Sequence, residues 1–248
     1  MKFIDEVYAQ LVKEIMSEGT VRQTRNGETV SVFGTSIKFD IANAGLPMIS
    51  LRKIFTKGVV GEFKGFLQDV KTVQEFRDLG CPYWDLWGDE NGNLELDYPP
   101  REQWEDLIEG IKTDPGSRRH MINVWNHSRI DKLSLPCCHF SYQFYVRDGF
   151  IDMIWSQRSL DVACGLPSDL VLAALYLSEI GRRTGLKPGT IRMNFGDTHI
   201  YKEHWVAIMD MVSNRKPNSK KIEFNWDGDK LTFEDYTPHD RVNFLLKG

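Results

Sequence analysis

Phe3, Val7, Leu11 and Ile15 stand four apart, and this spacing predicts a first helix from Lys2 to Ser17, ended by Gly19. Thr29–Phe33 and Ser36–Ile41 read as strands on either side of Gly34. Leu51–Leu67 reads as a mostly buried helix, and Val73–Leu79 as a short one. Glu90-Asn91-Gly92-Asn93 is a turn, and Gln103–Thr113 is an amphipathic helix running into Asp114-Pro115-Gly116. His120–Trp125, His139–Arg147 and Phe150–Gln157 read as strands. Asp148-Gly149 between the last two supplies the positive φ angles of a tight hairpin. Pro167–Thr184 is apolar nearly all round, the mark of a buried helix. Ile191–Phe195 reads as a strand, Ile200–Val212 as a helix, and short strands follow near Ile222 and Leu231. Strands and helices that do not strictly alternate predict an α+β fold, with helices packed against a large sheet.

No repeat, low-complexity tract or linker divides the 248 residues. The net charge of −4 gives no global basic field for nucleic acid, so any bound anion needs local arginines. No run reaches the roughly 18 apolar residues of a membrane helix. The start, Met1-Lys2-Phe3-Ile4-Asp5-Glu6, lacks an apolar signal core. With Cys81, Cys137, Cys138 and Cys164 as the four cysteines, the expectation is a reduced, cytoplasmic protein. No metal is expected. CxxC, HExxH and the zinc deaminase signature are missing, and His199 and His204 are out of helical register.

The candidate chemistry centres on Leu135-Pro136-Cys137-Cys138-His139 and Gln157-Arg158-Ser159, twenty residues apart. A thiol beside a histidine is a candidate nucleophile, and a nearby guanidinium favours its thiolate or holds an anionic substrate. Arg25, Arg118, Arg119 and Arg158 offer forked donors that match phosphate oxygens. Glu62 sits in an apolar helix, where a carboxylate is expensive unless used or paired. Tyr98, His139, His199 and Tyr201 are polar groups in apolar surroundings. Singly, each has a plainer reading: packed thiol, solvated charge or satisfied core hydrogen bonder.

Together these residues resemble the thymidylate synthase family, nearly end to end. The resemblance runs through Ser31-Val32-Phe33-Gly34, Glu62 with Phe66-Leu67, and Trp84-Asp85-Leu86-Trp87. It continues through Ser117-Arg118-Arg119, Pro136-Cys137-Cys138-His139 and Gln157-Arg158-Ser159. Gly196-Asp197-Thr198-His199-Ile200-Tyr201 and Phe233-Glu234-Asp235-Tyr236-Thr237-Pro238-His239 complete it. It implies one catalytic domain over residues 1–248, with a large mixed sheet whose face serves dimerisation. Cys138 would add to C6 of a pyrimidine nucleotide, and C5 would take a one-carbon unit from 5,10-methylenetetrahydrofolate. Glu62 would act through ordered water, Tyr98 in removal of the C5 proton, and His139 in holding the water network. Arg25, Arg158 and Ser159 would bind the phosphate, joined by Arg118 and Arg119 from the partner subunit. His199 and Tyr201 would bind the ribose hydroxyl, and Trp84, Asp161 and Gly165 would face the folate.

One departure changes the substrate. The family's base-reading segment is Gly-x-Pro-Phe-Asn, and this chain has Gly165-Leu166-Pro167-Ser168-Asp169. An asparagine amide matches uracil's O4 acceptor and N3 donor. Cytosine reverses that edge. A carboxylate accepts from the N4 amino group, and a proton-sharing one also serves N3. Against uracil O4 it sets acceptor against acceptor, a mismatch that hydrogen-bonding sites reject strongly. Asp169 as a simple helix cap is the alternative. The tail Asp240–Gly248 matches the family's in length but ends in Lys-Gly. Ser168 replaces an apolar ring, and both changes favour water near the base, while the retained Trp84 suits methyl transfer. The resulting expectation is a dCMP 5-hydroxymethyltransferase, like the cytidylate-using relatives that serve DNA modification and are often phage-encoded. A dCMP methyltransferase, a dUMP-using synthase and an inactive nucleotide- or RNA-binding relative are the alternatives.

Overall fold

A computed structural model describes residues 3–218 and 220–247. Lys2, where the first helix was expected to begin, and Gly248 of the tail lie outside them. Helix α1 (Ile4–Glu18) buries Tyr8, Leu11, Val12 and Ile15 on one face. A hairpin of β1 (Thr20–Thr24) and β2 (Gly27–Asp40) follows, then the short α2 (Ile41–Ala44), α3 (Thr56–Gln68), α4 (Val73–Asp78) and α5 (Arg101–Thr113). Strands β3 (Met121–Asn123), β4 (His139–Arg147) and β5 (Phe150–Asp161) lead into α6 (Gly165–Thr184). Strand β6 (Lys187–Tyr201), α7 (Trp205–Asn214), β7 (Phe224–Trp226) and β8 (Leu231–Phe233) complete the order. The main sheet runs β1-β2-β6-β5-β4-β3; only β5 and β6 are parallel, and β7 and β8 pair separately. This is the expected α+β architecture.

The boundaries differ from the pattern reading where side chains take over backbone hydrogen bonds. Leu51–Phe55 is not helical. Ser50 and Leu51 donate their backbone N–H groups to the buried Asp5 carboxylate at 2.7 and 3.2 Å, and Ile54 donates to the Tyr236 hydroxyl at 3.1 Å. Gly34 does not divide the strand. It takes a φ of +83°, while Phe33 and Thr35 on either side still pair with Asp197 and Phe195. Ile200 and Tyr201 belong to β6, paired with Val30 and Thr29, and α7 starts only at Trp205. Strand β1, not anticipated, is largely exposed, so it carries no alternating pattern. The Asp148-Gly149 turn has both φ angles positive, at 48° and 78°, as the hairpin requires.

Helix α6 joins the parallel pair and packs on β5, β6, α3 and α5, which explains burial on nearly all its faces. On the sheet's other face, Gln143, Ile154, Arg192 and Lys38 form one cross-strand row. Tyr145 and Ile154 are exposed there. The start of β4 and the carboxyl ends of β5 and β6 meet at one edge, beside the N-terminus of α6. In open sheets such a junction is where ligands bind.

Candidate active site

At that edge lies a cavity of ≈ 550 Å³. It gathers Arg25, Glu62, Trp84, Tyr98, Cys138, His139, Arg158, Ser159, Asp161, Gly165, Asp169, His199 and Tyr201. Of the residues expected in a site, only Arg118 and Arg119 lie elsewhere, exposed on the loop between α5 and β3, with Arg119 lining a separate cavity.

Cys138 immediately precedes β4. Arg158, on the neighbouring strand, donates from Nη2 to the Pro136 carbonyl at 2.7 Å and from Nε to the Cys137 carbonyl at 3.0 Å. These bonds hold the guanidinium 3.8 Å from the Cys138 sulfur. Burial pushes the Cys138 thiol up; the Arg158 charge opposes that shift, and Asp169 and Glu62 add to it. A thiolate therefore forms more easily when those two carboxyls are neutral. Cys137 is buried and its thiol is pushed up to about 11, chiefly by burial. All four cysteines are free.

Both carboxyls are pushed toward that state. Glu62 is pushed up to about 8, first by burial and then by the Asp169 charge, while the Trp84 indole N–H donated to it at 3.1 Å works the other way. Asp169 is pushed up to about 7 by burial, with the Gln157 amide donating to it at 2.8 Å in opposition. Asp169 is no cap. It is the fifth residue of α6, Cys164 occupies the cap position, and the side-chain partner of Asp169 is Gln157. Asp161, just before the helix, accepts instead from the Ala163 and Cys164 N–H groups at 2.9 and 3.1 Å.

Around this centre, His139 is buried and neutral. Burial lowers its pKa to about 3, and Nδ1 shares a 2.5 Å hydrogen bond with Tyr142 Oη. Tyr98 stacks on Phe66 with ring centroids 4.1 Å apart and sits 4.6 Å from the His139 ring. His199 Nδ1 lies 2.8 Å from Asp197, which also pairs with Arg22 at 2.7 Å. Gly196 allows the close strand approach, since a Cβ there would meet the Arg158 carbonyl at 2.6 Å. Arg25 is exposed on the β1–β2 turn, with Nε bonded to Asn26.

Several lining residues carried no role in the sequence reading. Gln157 was visible only as the neighbour of Arg158. Asp197, outside the lining, was legible as a partner of His199, because residues two apart on a strand share a face. Arg52 was not: it donates to the Ala163 carbonyl at 2.8 Å and lies 5.4 Å from the Phe244 ring, a contact between distant segments. The tail runs along the cavity, contributing Asn243, Phe244 and Lys247, and Lys247 pairs with Glu203. Within the walls, Gln157 Oε1 and Trp87 Nε1 are buried without a hydrogen-bond partner, as in a site that a polar ligand completes. Among the described residues, no helix is long and apolar enough to cross a membrane.

A family model described as thymidylate synthase matches residues 6–246. With a cysteine, an arginine and two buried carboxyls gathered in one cavity of the expected fold, the chain belongs to the thymidylate synthase family, whose chemistry is folate-dependent one-carbon transfer to a pyrimidine nucleotide.

Proposed function

We propose that the protein transfers a one-carbon unit from 5,10-methylenetetrahydrofolate to C5 of dCMP and releases 5-hydroxymethyl-dCMP. The observation that carries this reading is Asp169: a carboxyl on the cavity wall, tied to Gln157, with a pKa pushed up to about 7. At neutral pH it can share a proton with cytosine N3 while accepting from the N4 amino group. Ionised, it repels uracil O4.

Cys138 is the nucleophile at C6. Arg158 stabilises its thiolate, and a neutral Glu62 keeps negative charge away from it. Protonation of N3 by Asp169 makes C6 more electrophilic. Glu62, protonated below about pH 8, moves protons through water at the exocyclic group. Tyr98 serves removal of the C5 proton, and neutral His139 holds water. Arg25, Arg158 and Ser159 take the phosphate, and His199 and Tyr201 the ribose hydroxyl. The folate supplies the one-carbon unit when bound. Phe55, Tyr83, Trp84 and Trp87 give flat walls for its ring system with Asp161 and Gly165, and Arg52 and Lys53 are cations suited to its carboxylates. Ser168 and Asn243 make the lining beside them polar, which favours water over hydride as the nucleophile that adds to the exocyclic methylene.

Residues 1–248 act as one catalytic domain in this reading, in a homodimer formed through the sheet face bearing Tyr145 and Ile154. Arg118 and Arg119 then complete the partner subunit's phosphate site. The test is incubation with methylenetetrahydrofolate and either dCMP or dUMP, followed by mass analysis of the nucleotide. A hydroxymethylated dCMP is expected. A methylated dCMP overturns the choice of water, and turnover of dUMP alone overturns the reading of Asp169.

A further inference from the structure

Beneath the tail, three ligating side chains from separate elements converge. Asp161 ends β5, Cys164 caps α6, and His204 lies in the turn before α7. One ligating atom from each falls within 4.8 Å of the others. Metal-motif spacing could not show this group, since the residues are not in a local pattern.

His204 is the independent observation. It is 3% exposed, and neither ring nitrogen has a side-chain hydrogen-bond partner. Its ring packs against Tyr201 and Phe244, at 6.2 and 5.1 Å between centroids. The Asp161 charge bears on it, and the Leu245 backbone carbonyl is its hydrogen-bonding neighbour. That carbonyl lies 3.6 Å from the Cys164 sulfur. Two ligands on one tetrahedral zinc, at roughly 2.3 Å for sulfur and 2.1 Å for oxygen, stand about 3.6 Å apart.

We propose that Asp161, Cys164 and His204, with the Leu245 carbonyl as fourth donor, form a binding site for a thiophilic divalent cation of the zinc class. Thiolate and imidazole suit such an ion, and hard cations prefer all-oxygen sites. The carboxylate and the thiolate balance its charge, and the Cys164 proton is released to solvent on binding. The two backbone N–H groups on Asp161 Oδ1 fix that carboxylate's orientation from behind. Bound there, the ion ties the terminal segment to the cavity floor. It also draws on the carboxylate proposed to face the folate, so the two compete.

The test is titration of chelator-stripped full-length protein with cobalt(II), followed by its thiolate charge-transfer band, then displacement by zinc(II). One equivalent with a thiolate band is expected. Affinity should fall at least about tenfold in Cys164→Ser and in His204→Gln, each checked for native circular dichroism, and stay unchanged in Cys138→Ser. In the unsubstituted protein, zinc(II) should slow alkylation of Cys164 as mapped by mass. The proposal is overturned by the absence of a thiolate band, by a band that survives Cys164→Ser, or by Cys164 alkylation at equal rates with and without zinc(II).

Discussion

Replacing Asp169 with asparagine removes a carboxyl whose pKa is 3.8 unperturbed and about 7 in the fold. Because the folded value is the higher, the native state holds a proton that the unfolded chain has lost between these pH values. The stabilisation is complete below about pH 4 and disappears as pH rises through 7. From pH 5 to pH 7 that is two pH units at 1.36 kcal/mol each, about 3 kcal/mol, and solvent reaching an open cavity brings it nearer 2. His139 has the opposite sign, since its pKa is lowered to about 3 and it contributes stability as pH rises. It is common to both proteins and cancels in their difference. The assay is urea unfolding at pH 5 and pH 8. Asp169→Asn should lose about 2–3 kcal/mol less than the parent over that interval. The gap should widen slightly because the Asp169 charge also raises Glu62. Equal losses in the two proteins would refute a proton held on Asp169.

Trp84→Phe removes the indole donor that holds Glu62 down, so the Glu62 titration followed by carboxyl-carbon NMR should move upward, by the equivalent of about 1 kcal/mol. Arg158→Ala removes the charge that opposes the rise of the Cys138 thiol; the pH midpoint of Cys138 alkylation should shift upward, and turnover should fall at least tenfold. Phe244→Ala loses the ring beside Arg52 and His204, so carboxypeptidase should trim the tail faster, while global stability changes by about 1 kcal/mol or less.

Strong local signals were readable in the sequence. The β4–β5 hairpin followed from Asp148-Gly149, and the buried α6 from its all-round apolar run, because each depends on nearby residues alone. The start of α3 was not, since Asp5 and Tyr236, far away in sequence, take the backbone donors of residues 50, 51 and 54. The site divides likewise. The Cys138, Arg158 and His199 segments stood out as motifs, and the fold gathers them on one cavity. The coupling of Glu62 to Asp169, the bond from Gln157 and the convergence of Asp161, Cys164 and His204 depend on packing between elements, which no spacing encodes.

The central claim is that Asp169 reads cytosine. The most direct measurement is kcat/KM for dCMP and for dUMP, in the parent and in Asp169→Asn. The account predicts that the parent prefers dCMP and that the asparagine variant reverses the preference, because its amide matches uracil O4 and N3. An unchanged preference in the variant, with its fold intact, would contradict it.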